Sequence, residues 1–207
     1  VDEHTAVFAS CEDAATLAIA RDKAIAVGSD VDFSTLRFED DAFEIVLADA
    51  SLVRPGDLGQ FVENAVRVAR TGAKVTFFLP SAGSFGEIFS LLWEVMFDEN
   101  LGENGAAVEA LIAEIPTISV IEELASSAGL TNIEVHHANE VFEFENGVAF
   151  IASPLVADFL LPEWLKGLKK KEKEQVTKKL AQLIDAEDGT LTFRFSVKAT
   201  LLTGKKN

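Results

Sequence analysis

Apolar and polar positions along this chain alternate between two periods, and the changes of period mark out the elements. The run TAVFAS (residues 5–10) is small and apolar enough for a buried strand, and it passes directly into CEDAATLAIARDKAIAVG, which reads as a helix. Ser10 is placed to cap that helix, with Asp13 three residues on and Glu12 in the first turn, where the helix dipole favours an acid. VDFST and FEIVLAD then read as short strands on either side of an acidic turn. Leu58, Phe61, Val62, Ala65 and Ala69 recur at helical spacing as far as RVARTG, where Gly72 supplies the stop. The β-rich KVTFFLP follows and ends at Pro80. Strand, helix and strand in that order form a crossover unit, which packs right-handed onto a parallel sheet.

Residues 84–97 repeat at helical spacing through Ile88, Phe89, Leu92, Val95 and Met96, with Ser84 and Glu87 in the positions of a capping box. Polar DENLGENG separates this helix from a second one near AAVEALIAEI, which Pro116 stops. SVIEELASSAGL starts another helix, capped by Ser119 with Glu122 completing the box and Gly129 in the left-handed position after its end. NIEVHHANEVFEF alternates as a strand does. Residues 148–186 return to helical spacing, with Ser153 and Pro154 as cap and first-turn proline and with Val176, Leu180, Leu183 and Ile184 on one face. LTFRFSVKATLLTG alternates over a long run and predicts an antiparallel closing strand. The pattern is α/β, without internal repeats, and its length suits a single domain over residues 1–207 with helical insertions at 84–118 and 147–188.

Composition narrows the functions. A formal net charge of -16 argues against nucleic acid as a partner, because phosphate affinity rests on clustered Lys and Arg, and only KGLKKKEKEQ is locally basic. The single cysteine, Cys11, excludes an internal disulfide and a Cys-rich metal site, which points to a reducing, cytoplasmic compartment. No apolar run approaches the roughly 20 residues of a membrane span. His136 and His137 are adjacent, so on a strand they face opposite sides and form no two-His ligand pair, and His4 is near the terminus. No Ser, His and acid set and no metal-spaced cluster stands out, so no metal site is expected.

The order of elements, with three short stretches of text, resembles the class I S-adenosylmethionine-dependent methyltransferases, and within them the small "type 11" family. LAIAR (17–21) matches the Ala-Arg end of that family's helix after its second strand. Asp32 followed by LRFEDDAFE matches its acid and Leu-Pro-Phe-x-Asp-x-x-Phe-Asp pattern, with Arg37 for the proline and Glu44 for the last aspartate. RVARTGAKV (67–75) matches Arg-Val-Leu-x-Pro-Gly-Gly, with Thr71 and Ala73 for the proline and the second glycine. The resemblance implies a Rossmann-like sheet with an antiparallel last strand, S-adenosylmethionine as cofactor and a small-molecule substrate.

On this resemblance the cofactor-side residues are Ser10, Cys11 and Glu12 after the first strand present, Asp32 and Phe33 near the adenine, and Asp49 at the end of a strand where open α/β sheets bind ligands. Cys11 stands where the family has the acid for the ribose hydroxyls, and a thiol does not offer them a carboxylate's two acceptors. Phe85, Phe89, Trp93 and Trp164, with Phe97, line a substrate pocket under the inserted helices. The family's Gly-x-Gly turn and first strand lie upstream of residue 5, and the first glycine here is Gly28. Without that central strand, the sheet should have an apolar gap or another strand to fill it, and exposed apolar surface favours a homodimer. Two main functions compete: a methyltransferase acting on a small apolar acceptor, completed by the missing motif, and a degenerate module that binds a ligand or a protein. A third and weaker reading has the insertions contacting lipid or a hydrophobic carrier.

Overall fold

The structure is a computed structural model that describes residues 5–11, 14–33, 37–101, 105–187 and 193–207. Its elements run β1 (Val7–Phe8), α1 (Ala14–Ala26), β2 (Val31–Asp32), β3 (Phe43–Asp49), α2 (Leu58–Val68), β4 (Ala69–Pro80), α3 (Gly86–Asp98), α4 (Gly105–Glu114), α5 (Ile118–Ser127), β5 (Leu130–Phe144), α6 (Gly147–Ala152), α7 (Leu161–Trp164), α8 (Lys170–Glu187) and β6 (Phe193–Lys206). A π-helical turn, Leu155–Leu160, joins α6 to α7.

The strands form two sheets. β1 and β2 pair in parallel by themselves, and the other four lie in the order β3-β4-β6-β5. β3 and β4 are parallel, with Val46 opposite Val75 and Asp49 opposite Phe78. β6 is antiparallel to both β4 and β5, as its long alternation predicts. The two sheets meet through a ring contact between Phe8 on β1 and Phe43 on β3. The division therefore falls between β1 and β3, and no described strand lies between them.

Two apolar cores follow from this layout. In one, Val75, Phe77 and Leu202 of the sheet pack under Leu58, Val62 and Val66 of α2 and Ile121 and Ala125 of α5. These sheet residues alternate with outward ones, so α2 and α5 cover one face only. The second core gathers α3, α6, α7 and α8 around Phe193 and Phe195 at the start of β6. Gly147 makes the α6–α8 contact possible, since a Cβ there would lie 2.2 Å from the Ala181 carbonyl oxygen.

Local starts and stops differ from the sequence pattern in three places. Gly72 does not end a helix: α2 stops at Val68 and β4 begins at Ala69, so Gly72 (φ 79) lies inside the strand. Tertiary pairing of Phe43 with Ala69 outweighs the local glycine signal. α3 has Phe85 rather than Ser84 at its cap, and Glu87 binds Ser196 on β6 instead of closing a box. Thr117, not Ser119, caps α5, its hydroxyl accepting from the Val120 N–H at 3.3 Å. Gly129 (φ 98) follows α5 as expected.

Candidate functional site

β3 and β4 run parallel and bring their carboxyl ends to one edge of the large sheet, which is where open α/β sheets bind ligands. Cys11 follows β1 as a half-buried free thiol, and Ser10 precedes it with a partner of its own. Asp32 ends β2 and is also engaged, and its carbonyl accepts from the Ala9 N–H at 2.9 Å, tying the two strand ends together. Phe33 comes next. The Arg21 guanidinium donates to its carbonyl at 2.9 Å and sits 5.9 Å from the centre of its ring. Asp49 ends β3 with an exposed carboxylate, and its Oδ1 accepts from the Ser51 N–H at 2.9 Å. Glu12 and Asp13 lie outside the described residues.

The structure thus puts Ser10, Cys11, Asp32 and Phe33 on the small sheet and Asp49 on the large one, on opposite sides of the division between β1 and β3. Carboxylates at such an edge can accept from ribose hydroxyls or an exocyclic amine, and an aromatic ring beside them can stack on a base. Gly28 (φ 63) follows α1, so no described glycine turn stands at the end of β1.

The loop after β4 completes this edge, and it contains polar residues that the pattern of apolar positions did not single out. The Ser84 hydroxyl donates to the Ser81 carbonyl at 2.7 Å and accepts from the Lys198 N–H at 2.9 Å. Thr200 Oγ1 donates to Ser81 Oγ at 2.8 Å, and all three side chains are buried. The result pins residues 81–85 to β6 and holds Phe85 in a left-handed conformation (φ 63), a strained state that persists only where surroundings impose it. The SAGS text after a strand was the available signal, but its partners are more than a hundred residues away.

Burial pushes the Glu87 carboxyl up, but hydrogen bonds from the Ser196 hydroxyl (2.6 Å) and its own and the Ser196 N–H groups outweigh this and hold it below the ordinary 4.5.

Of the expected pocket aromatics, Phe85, Phe89 and Trp164 come together, with ring centres 5.3 to 6.0 Å apart. Phe89 and Trp164 are 2% and 9% exposed. Trp93 lies elsewhere: it is 45% exposed and stacks on Phe97 at 6.0 Å with an interplanar angle of 6°. His136 and His137 pair with Leu201 and Thr200, which puts them on opposite faces of β5. Among the described residues no group of His, Cys, Asp and Glu could hold a metal ion, and no helix is long and apolar enough to cross a membrane.

No family model matches the sequence, and no curated protein matches it. Solved structures do match the fold. The YcgJ protein from Bacillus subtilis is 15% identical with a TM-score of 0.55, over 98% of this chain and 82% of that one. A candidate methyltransferase from Bacillus halodurans is 16% identical with a TM-score of 0.54, over 98% and 83%. The [4+2]-cyclase SpnF is 16% identical with a TM-score of 0.50, over 99% and 67%. These likenesses concern the fold, and a fold does not by itself assign a reaction. The antiparallel last strand, the crossover helices and these structures agree: the chain has the class I methyltransferase fold.

Proposed function

We propose that residues 1–207 form the larger part of an S-adenosylmethionine-dependent methyltransferase that acts on a small apolar acceptor. The observation that carries this reading is the division of the sheet. β1 and β3 face each other through Phe8 and Phe43 with no described strand between them, while Asp32 and Asp49 end the strands on either side. On this reading a further parallel strand belongs between the two sheets. The residues present suit the adenosine half of the cofactor, with Asp32 accepting from the adenine amine and Phe33 against the base. When bound, the cofactor supplies an electrophilic methyl group. The chain's own part is to bind and orient, since no described acid–base dyad stands at this edge.

The acceptor side is the loop 81–85 with Phe85, backed by Phe89 and Trp164. Trp93 and Phe97 are exposed, and this supports a homodimer through α3 rather than a place for them in the pocket. The charge of -16 supports a protein that does not engage nucleic acid, and the lone cysteine supports a cytoplasmic location.

Titration calorimetry with S-adenosylmethionine tests the reading. The 207-residue chain is expected to bind more weakly than about micromolar, and Asp32→Ala should weaken binding about tenfold further, as loss of a charged hydrogen-bond acceptor does. Binding that is indifferent to Asp32 and Asp49 would remove the proposed site. Binding tighter than micromolar would show that these residues need no completion.

A further inference from the structure

The cations of this chain are unevenly placed. Seven of its 18 Lys and Arg residues lie between Lys166 and Lys179, against two glutamates there, in a chain of net charge -16. Three of the seven are held in ion pairs: Lys166 with Glu163, Lys169 with Glu172 and Lys179 with Glu99. Lys170, Lys171, Lys173 and Lys178 have no ion-pair partner among the described residues. The arginines behave differently, since Arg54, Arg67, Arg70 and Arg194 each meet a carboxylate. A planar guanidinium suits a carboxylate held in one place, whereas the point charge of lysine on a flexible stem suits anions of no fixed position.

These lysines border an apolar groove. Gly147 lets α6 approach the backbone of α8 at Ala181, and beside that contact a cavity of about 590 Å³ opens between Val148 and Ile151 on α6 and Thr177 and Ala181 on α8. Val148 is 62% exposed and Ile151 is half-buried. Lys173 and Lys178 also line the groove, where their aliphatic stems cover apolar surface while the ammonium groups reach water. Lys170 shares a stripe of α8 with Thr177 and Ala181, and Lys171 shares one with Lys178, at helical spacing. Two acids line the groove as well. Asp185 is engaged by the Gly147 N–H at 2.6 Å, and Glu174 stands near the lysines without an ion pair among the described residues.

We propose that the α6–α8 face is a peripheral contact site for an anionic lipid bilayer, with Val148 and Ile151 at the boundary between headgroups and acyl chains and Lys170, Lys171, Lys173 and Lys178 among the headgroups. Exposed apolar side chains flanked by flexible lysines are what an interfacial site needs, and no described helix is long and apolar enough for deeper insertion. The fluid headgroups of a bilayer move to the lysines. An acidic protein surface instead presents carboxylates at set places, for which this chain uses arginine. The remaining acids of the chain act weakly at the contact, because charges beyond about 8–10 Å are screened. Each lysine near an anionic leaflet strengthens binding about fivefold. The inference rests on neither methyl transfer nor self-association, since its readout is binding to vesicles.

Co-sedimentation of the 207-residue chain with vesicles tests the site. Vesicles of phosphatidylcholine with about one-third phosphatidylserine should bind the chain, vesicles of phosphatidylcholine alone should not, and added salt should release it. The double variant Lys171→Gln with Lys178→Gln should weaken binding about tenfold to thirtyfold, and glutamine keeps the helix because it is a good helix former. Lys74→Gln with Lys205→Gln removes the same charge from the exposed β4–β6 pair and should leave binding nearly unchanged. Val148→Asp should weaken binding as well, and thermal unfolding checks that each variant is folded. Equal losses in the two lysine doubles would mean that net charge alone acts, and they overturn the proposal. Equal binding to both kinds of vesicle overturns it too. Failure to bind either kind leaves the lysines to an acidic protein surface, and the proposal falls.

Discussion

Phe8 on β1 and Phe43 on β3 meet with ring centroids 5.7 Å apart and planes inclined at 55°, and this contact joins the small sheet to the large one. Phe43 is also held edge-on by Phe38 at 4.9 Å, so one half-buried ring serves both the acidic turn and the junction.

Removing either ring should loosen the junction unequally. Phe43→Ala loses two aromatic partners and is expected to cost about 2 kcal/mol, and Phe8→Ala, whose ring is partly exposed, about 1 kcal/mol. Urea denaturation measures both. Hydrogen exchange of α1 amides should speed up in both variants, and unchanged exchange would show that the contact does not hold the small sheet in place.

Glu87 and Ser196 give a pH signature. The folded carboxyl titrates below its ordinary 4.5, so its contribution to stability is present above that value and is lost as pH falls through the lower folded one. Ser196→Ala removes the 2.6 Å hydroxyl bond and is expected to cost about 1 kcal/mol at pH 7. The difference from the parent chain should shrink on acidification below 4.5. A difference that stays constant on acidification below 4.5 would show that the hydroxyl acts through packing alone.

Gly147 has no room for a side chain. A Cβ would meet the Ala181 carbonyl oxygen at 2.2 Å and its Cα at 2.7 Å, and backbone cannot rotate away as a side chain does. The Gly147 N–H also donates to Asp185 Oδ1 at 2.6 Å, which fixes α6 against α8. Gly147→Ala should therefore cost about 2–3 kcal/mol, with the loss read by thermal unfolding. Gly83, whose added Cβ would meet nothing within 4 Å, is the control for space, although its φ of 98 carries its own backbone strain.

The sequence by itself determined the elements and their order, because periods of two and of about 3.6 residues are local and survive in the alternation of FEIVLAD and the spacing of Leu58, Val62 and Ala65. It also placed Asp49 at a strand end, since a strand's end is marked by its own neighbours. Contacts between distant residues were decided only in three dimensions. Ser84 turned from a helix cap to β6 because the Lys198 N–H reaches it, and Glu87 followed to Ser196. Phe89 and Trp164 were sealed in a core while Trp93, on the same helical run as Phe89, was left at the surface with Phe97. Helical spacing records which residues share a face, not which face finds a partner. The same reason hid the groove between α6 and α8: Val148 and Lys178 are far apart in the chain, and only the close approach of Gly147 to Ala181 makes them line one cavity.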